Sequence, residues 1–188
     1  GVSNGLGLLL VVCFVAIPFL FACGGCNNPS TMPHQHHTTS IPDKETYLLN
    51  RLDQKFENSE VHCELGRFYL SEGRWDKANY HLKVALGFDP AHRNCQAAFI
   101  SMLEKQGKSS EAALYVGRYQ GQLFNSPSEL VRLGKAFADE GLDAYALSTF
   151  QKAMQIDPNV AEANKHLGLY YLSRNELAQA KQYLSRSF

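Results

Sequence analysis

The sequence predicts an all-α chain: a solenoid of antiparallel helix hairpins, preceded by an apolar N-terminal helix and a flexible linker. Three observations carry that expectation. From residue 59 onward the chain aligns with itself every 34 residues without insertion, the mark of stacked supersecondary units. Small residues recur at two fixed register positions, where paired helices must approach closely. Glycine and Asp-Pro punctuate each unit where a helix must stop.

Charge divides the chain before any motif does. Residues 1–42 contain no Asp, Glu, Lys or Arg, so all 18 basic and 18 acidic residues lie from Asp43 onward, and they balance. Such a surface has no basic field to attract nucleic acid, and no nucleic-acid partner is expected. Hydrophobic residues make up 45% and charged residues 19%, a globular rather than a disordered composition.

Leu6–Ala22 is an uncharged, mostly apolar run of 17 residues interrupted by Pro18. It is short for a membrane span, which needs about 20 residues, and long for a signal-peptide core of about 7–15. Residues 1–22 are therefore read as a signal peptide or a membrane anchor. The run ends in Leu20-Phe21-Ala22-Cys23, which resembles the bacterial lipobox. Leu20, Ala22 and Cys23 match that pattern, and Phe21 is larger than its usual residue. The resemblance implies cleavage before Cys23 and lipid attachment to it. With Gly24 next, it implies an outer-membrane lipoprotein facing the periplasm. The alternative is an uncleaved inner-membrane signal anchor.

Residues 23–42 are rich in Asn, Pro, Ser, Thr and His without apolar periodicity, and read as a flexible linker. Cys23-Gly-Gly-Cys26 has redox-motif spacing but lacks the strand–helix setting that lowers a thiol pKa. His34, His36 and His37 cluster, but a tether offers no fixed second shell for a metal. No cofactor or metal is expected.

Residues 43–58 read as an amphipathic helix capping the stack, with Tyr47, Leu48, Leu52 and Phe56 at helical spacing. The array itself covers 59–188, in units 59–92, 93–126, 127–160 and 161–188. The last is short, so the stack is expected to continue beyond Phe188. Register position 7 is Leu65, Leu133 and Leu167, and position 8 is Gly66, Gly134 and Gly168. Position 11 is Tyr69, Phe137 and Tyr171, and position 20 is Ala78, Ala146 and Ala180. Gly73, Gly107 and Gly141 occupy position 15, where a left-handed C-cap ends the first helix. Asp89-Pro90 and Asp157-Pro158 close two units. The second unit departs, with Ile100 at position 8 and Phe124 in place of the proline. Ile100 is expected to push its helices apart. Ser126-Pro127-Ser128-Glu129 reads as a capping box with Pro at the first helical position.

Together these residues closely resemble the tetratricopeptide repeat (TPR). The resemblance implies a right-handed superhelix whose concave groove, lined by first helices, holds a protein or peptide partner. The groove positions carried over are Glu60, Cys63, Arg67, Leu70 and Ser71 in the first unit and Asn94, Ala97, Ser101, Glu104 and Lys105 in the second. In the third they are Ser128, Val131, Lys135, Ala138 and Asp139, and in the fourth Glu162, Lys165, Leu169, Leu172 and Ser173. The carboxylate clamp of chaperone-binding relatives has no counterpart, because Cys63, Glu64 and Arg67 stand at its positions.

Catalysis has little to rest on. His62, His81, His92 and His166 are scattered over different register positions, and no H-E-x-x-H, G-x-S-x-G or phosphate-cradling glycine loop occurs. Cys63 and Cys95 also differ in register, and a disulfide between them is not expected. The chain is read as a non-enzymatic interaction adaptor, lipid-anchored in the periplasm, on the pattern of pilotin-like lipoproteins that assist pilus secretin assembly. The alternative is a TPR scaffold or regulatory subunit of a membrane complex held by an uncleaved helix.

Overall fold

The structure, a computed structural model, describes residues 43–188. Cys23, the apolar run and the linker lie outside the described residues. Nine helices follow one another among the described residues: α1 (Lys44–Gln54), α2 (Ser59–Ser71), α3 (Trp75–Phe88), α4 (Arg93–Lys105), α5 (Ser109–Gln122), α6 (Pro127–Asp139), α7 (Asp143–Ile156), α8 (Ala161–Ser173) and α9 (Leu177–Leu184). None of them is long and apolar enough to cross a membrane. After α1 they pair as hairpins α2/α3, α4/α5, α6/α7 and α8/α9, stacked into a TPR solenoid.

The position-8 glycines set the hairpin spacing. A Cβ on Gly66 would lie 2.6 Å from Leu82 Cγ, one on Gly134 2.7 Å from Phe150 Cε1, and one on Gly168 2.5 Å from Leu184 Cγ. Each contact is closer than real Cβ atoms come, so a bare backbone is what lets the second helix dock. Where Ile100 stands instead, α4 and α5 stay further apart than the helices of the other hairpins.

Three hairpin turns use left-handed glycines, Gly73 (φ 69°), Gly107 (φ 72°) and Gly141 (φ 72°). The fourth turn takes the same conformation at Asn175 (φ 60°), the non-glycine residue that tolerates it best. At the other turns Asp89 Oδ1 accepts from Ala91 N (3.0 Å) and Asp157 Oδ1 from Asn159 N (2.9 Å). The aspartate of each Asp-Pro pair thus folds the loop that the proline opens.

Position 4 carries a second, less obvious regularity. His62 Nε2 lies 3.0 Å from Phe56 O, Gln96 Nε2 2.7 Å from Pro90 O, and Asn164 Nδ2 3.0 Å from Pro158 O. Each buried polar side chain binds the carbonyl six residues upstream and pins its helix to the preceding loop. In the third unit the loop has Phe124 instead of proline, and position 4 is the buried Leu130.

Two local expectations need correction. The Ser126 side chain makes no capping hydrogen bond, although Pro127 does open α6. Glu129 turns instead to two guanidiniums, Arg132 Nη1 at 2.8 Å and Arg93 at 3.2 Å, which bind a carboxylate more strongly than a backbone amide does. In the capping helix Leu48 and Leu52 are buried, but Tyr47 is exposed and Phe56 lies beyond the helix end. Asp43 caps α1 through Thr46 N at 2.8 Å, and Lys55 leaves the helix extended, which puts Phe56 edge-on to His62 with ring centroids 5.0 Å apart.

Candidate functional site: the concave cleft

The central helix α4 decides the shape of the concave face. Its residues Cys95–Leu103 are all buried, because α2, α3, α5 and α6 surround it. Arg67 on α2 reaches past it to Glu140 at the end of α6, with Nε 2.9 Å from the carboxylate. The first and third units therefore touch, and the groove narrows to a polar cleft of about 530 Å³. Glu60, Asn94, Arg132, Lys135 and Asp139 line it together with His92 and Arg93.

Further along, Ala138, Leu147, Phe150, Leu169 and Tyr170 line a more apolar recess of about 290 Å³. Leu169 and the nearby Leu172 are each 47% exposed, so this end offers aliphatic surface to a partner. His166 stacks flat on Phe150, ring centroids 4.9 Å apart, and burial holds its imidazole below the ordinary value.

The candidate groove residues divide into three groups. Cys63 and Ser101, each 2% exposed, are buried, as are Leu70 and Ala97, so these positions do not line the cleft. Val131, at 5%, only borders a side recess with Lys135 and Glu162. The cause is curvature: α4 is enclosed by its neighbours, so positions that face a groove in an open stack become core here.

A second group is held in ion pairs and hydrogen bonds between helices. Glu60 pairs with His92 Nε2 (2.8 Å), Lys135 with Glu162 (3.0 Å), and Arg67 with Glu140 as described. Glu104 accepts from Ser109 Oγ (2.6 Å) and from the Tyr145 hydroxyl (2.5 Å), which hold its carboxyl below the ordinary value. Burial and that carboxylate push Tyr145 up to about 12, so it stays a donor. Burial opposes ionisation of Glu129, but Arg132 and Arg93 outweigh it and keep the group charged. Lys135 does the same for Glu162. The third group, Asn94, Lys105, Asp139, Lys165, Leu169 and Leu172, is exposed and free to meet a partner.

Sequence reasoning missed Arg93 and Arg132 because positions 1 and 6 of a unit are not counted as groove positions. It also missed two juxtapositions. His62 and His81, at positions 4 and 23, meet inside the first hairpin with Nδ1 atoms 2.9 Å apart. Cys63 and Cys95 are free and buried; the Cys63 thiol beside it, together with burial, pushes the Cys95 thiol well above its ordinary range. Among the described residues no group of three or more His, Cys, Asp or Glu side chains is placed to hold a metal ion.

No protein-family model matches the chain. Among curated proteins it is similar to the BBSome complex member BBS4 of Bos taurus, with 28% identity over 129 residues, covering 69% of this chain and 25% of that protein. The chain thus spans about a quarter of the length of the curated relative it matches. Among solved structures it is similar to MamA, at 19% identity and a TM-score of 0.40, covering 76% of this chain and 84% of that one. It is similar to YrrB, described as a TPR protein with an unusual peptide-binding site, at 20% identity and a TM-score of 0.38, over 76% and 74% of the two chains. PilW, described as a type IV pilus biogenesis factor, is similar at 16% identity and a TM-score of 0.44, over 76% and 66%.

Proposed function

We propose that the protein is a non-enzymatic adaptor that holds a protein partner against its concave face. The observation that carries this reading is the continuous change in that face. A polar cleft with Asn94, Lys135 and Asp139 passes into an aliphatic shelf at Leu169 and Leu172. An extended segment or helix lying there would gain hydrogen bonds at one end and apolar burial at the other. Within the cleft Arg93 is held by Glu129 and Lys135 by Glu162, each in the next unit, so binding has fewer free side chains to order.

The Leu20-Phe21-Ala22-Cys23 motif supports an anchored form of this adaptor, lipidated at Cys23 and working in the cell envelope on an assembly such as a pilus secretin. A second reading, a scaffold subunit of a membrane complex retained by an uncleaved N-terminal helix, is favoured by the curated relative's description as a complex member.

Photo-crosslinking residues placed at Asn94 and Leu169 are expected to trap one common partner in the native setting, while the same residue at the exposed Lys152 of α7 traps none of it. Equal trapping at all three positions would remove the concave-face reading. The mass of the mature N-terminal peptide separates the two anchors: a lipidated Cys23 supports the first, and intact residues 1–22 support the second.

A further inference from the structure

On the opposite side of the stack from the concave cleft, the second helices of the first two units leave a gap. Residues of α3 and α5 face each other across it, with Phe99 of α4 between them. A crevice of about 380 Å³ remains. Its floor is apolar and aromatic: Phe99 (3% exposed), Tyr119 (8%) and the half-buried Leu86 and Tyr115. Tyr115 stands edge-on to Phe99 with ring centroids 5.1 Å apart, which fixes the orientation of the wall.

The rim carries Lys83 from α3 and Arg118 from α5. No carboxylate lines this crevice, and neither cation forms an ion pair among the described residues. Arg118 lies over the Tyr115 ring, 5.2 Å from its centroid, which directs the guanidinium along the wall. Lys83 also edges a smaller cleft with Asp76 and Glu111, neither of which comes within ion-pair distance of its ammonium. Two unpaired cations thus stand at the rim of an apolar, aromatic floor.

We propose that this crevice is a second binding site, distinct from the concave face, for an acidic peptide segment that carries a large apolar anchor residue. The anchor sits between Leu86, Phe99 and Tyr119, and the flanking carboxylates meet Lys83 and Arg118. Opposite charge at the rim gives orientation and on-rate, and burial of the anchor gives residence. A long polyanion is disfavoured, because the lining carries two basic residues, Lys83 and Arg118, and the adjoining cleft carries the carboxylates of Asp76 and Glu111.

Three fluorescein-labelled hexapeptides test the site by anisotropy on the full chain: Glu-Glu-Leu-Phe-Glu-Glu, the same acidic frame with Gly-Gly at its centre, and Leu-Phe flanked by lysines. The first is expected to bind saturably below about 1 mM, and the other two at least about tenfold more weakly. The double variant Lys83→Glu/Arg118→Glu changes only exposed side chains; it is expected to keep its melting temperature and lose at least about tenfold in binding. Lys135→Glu in the concave cleft is expected to change binding less than twofold, so failure here and failure of the concave reading are told apart. No saturable binding of the first peptide, equal binding of the three peptides, or a loss caused by Lys135→Glu instead of the double variant overturns the proposal.

Discussion

The Nδ1 atoms of His62 and His81 lie 2.9 Å apart inside the first hairpin. A carbonyl only accepts, so His62 Nε2 must donate to Phe56 O, which leaves His62 Nδ1 as the acceptor for the His81 Nδ1–H. Both rings are neutral in this arrangement, and the pair knits α1's trailing loop, α2 and α3 together. Phe56, Phe88, Tyr69 and Tyr80 surround the two imidazoles.

That pair makes stability depend on pH. Burial, the neighbouring His62 and Lys77 push His81 down to about 4, and burial lowers His62 as well. The unfolded chain therefore binds the proton more readily than the folded one. The His81 contribution is complete above the ordinary histidine value of 6.5 and is lost as pH falls toward 4, by up to roughly 3 kcal/mol. Thermal melting between pH 7.5 and 4 is expected to show this decline, and His81→Asn is expected to flatten it. An equal slope in the variant would assign the decline to other groups.

Glycines at two kinds of position are expected to respond in opposite ways to alanine. Gly66→Ala places a methyl 2.6 Å from Leu82 Cγ and 3.2 Å from the Leu82 backbone nitrogen, and should destabilise by about 1–3 kcal/mol through overpacking. Gly117 lies inside α5 with nothing within 4 Å of a new Cβ. Gly117→Ala should stabilise by about 0.5–1 kcal/mol, because it removes backbone freedom from the unfolded chain. Urea denaturation of the two variants reads both signs.

Gln96 joins its helix to the Pro90 carbonyl at 2.7 Å and also accepts from Arg93 Nη1 at 3.1 Å. Gln96→Leu copies the residue that the third unit uses at this position but leaves the carbonyl without its partner. A loss of about 1–3 kcal/mol is expected, read by urea denaturation. Amide exchange should quicken first in the 89–96 segment. Unaltered exchange there would show that the loop holds without the side chain.

Glu45 fastens α1 to the first hairpin. It accepts from Arg74 Nη1 (2.6 Å), the Tyr69 hydroxyl (2.9 Å) and Lys77 Nζ (3.4 Å), which hold its carboxyl down to about 2. This contribution is present above the ordinary carboxylate value of 4.5 and is lost as pH falls through about 2. Glu45→Gln should speed amide exchange across α1 while leaving α7 to α9 unchanged. Uniform acceleration along the chain would mean that α1 unfolds only with the whole stack.

Much of the fold was legible because it depends on local chemistry. Gly66, Gly134 and Gly168 announced close helix approach, and their Cβ positions are occupied by the facing helix. Gly73, Gly107 and Gly141 announced left-handed turns, and each has a positive φ. Asn175 takes the fourth such turn, yet its side chain alone did not single it out. The reach of α1 was overdrawn by Phe56, an aromatic residue in phase with the helix but outside it.

The site was less legible, because groove positions inherited from a regular stack assume a regular curvature. Cys63 and Ser101 are surface positions only if the units fan apart; here Arg67 meets Glu140 across α4 and closes that space. The His62–His81 pair was hidden for a related reason: residues 19 apart meet only once the hairpin has set its own rotation.

The sequence by itself determined the helix pairing, the spacing of the hairpins and the places where the chain turns. Those features follow from backbone freedom, side-chain size and period, which act within a few residues. The tertiary structure alone decided which polar groups pair across units, how far the concave face closes, and where the second unit leaves its crevice. These outcomes sum small rotations between successive hairpins, and no single residue encodes that sum.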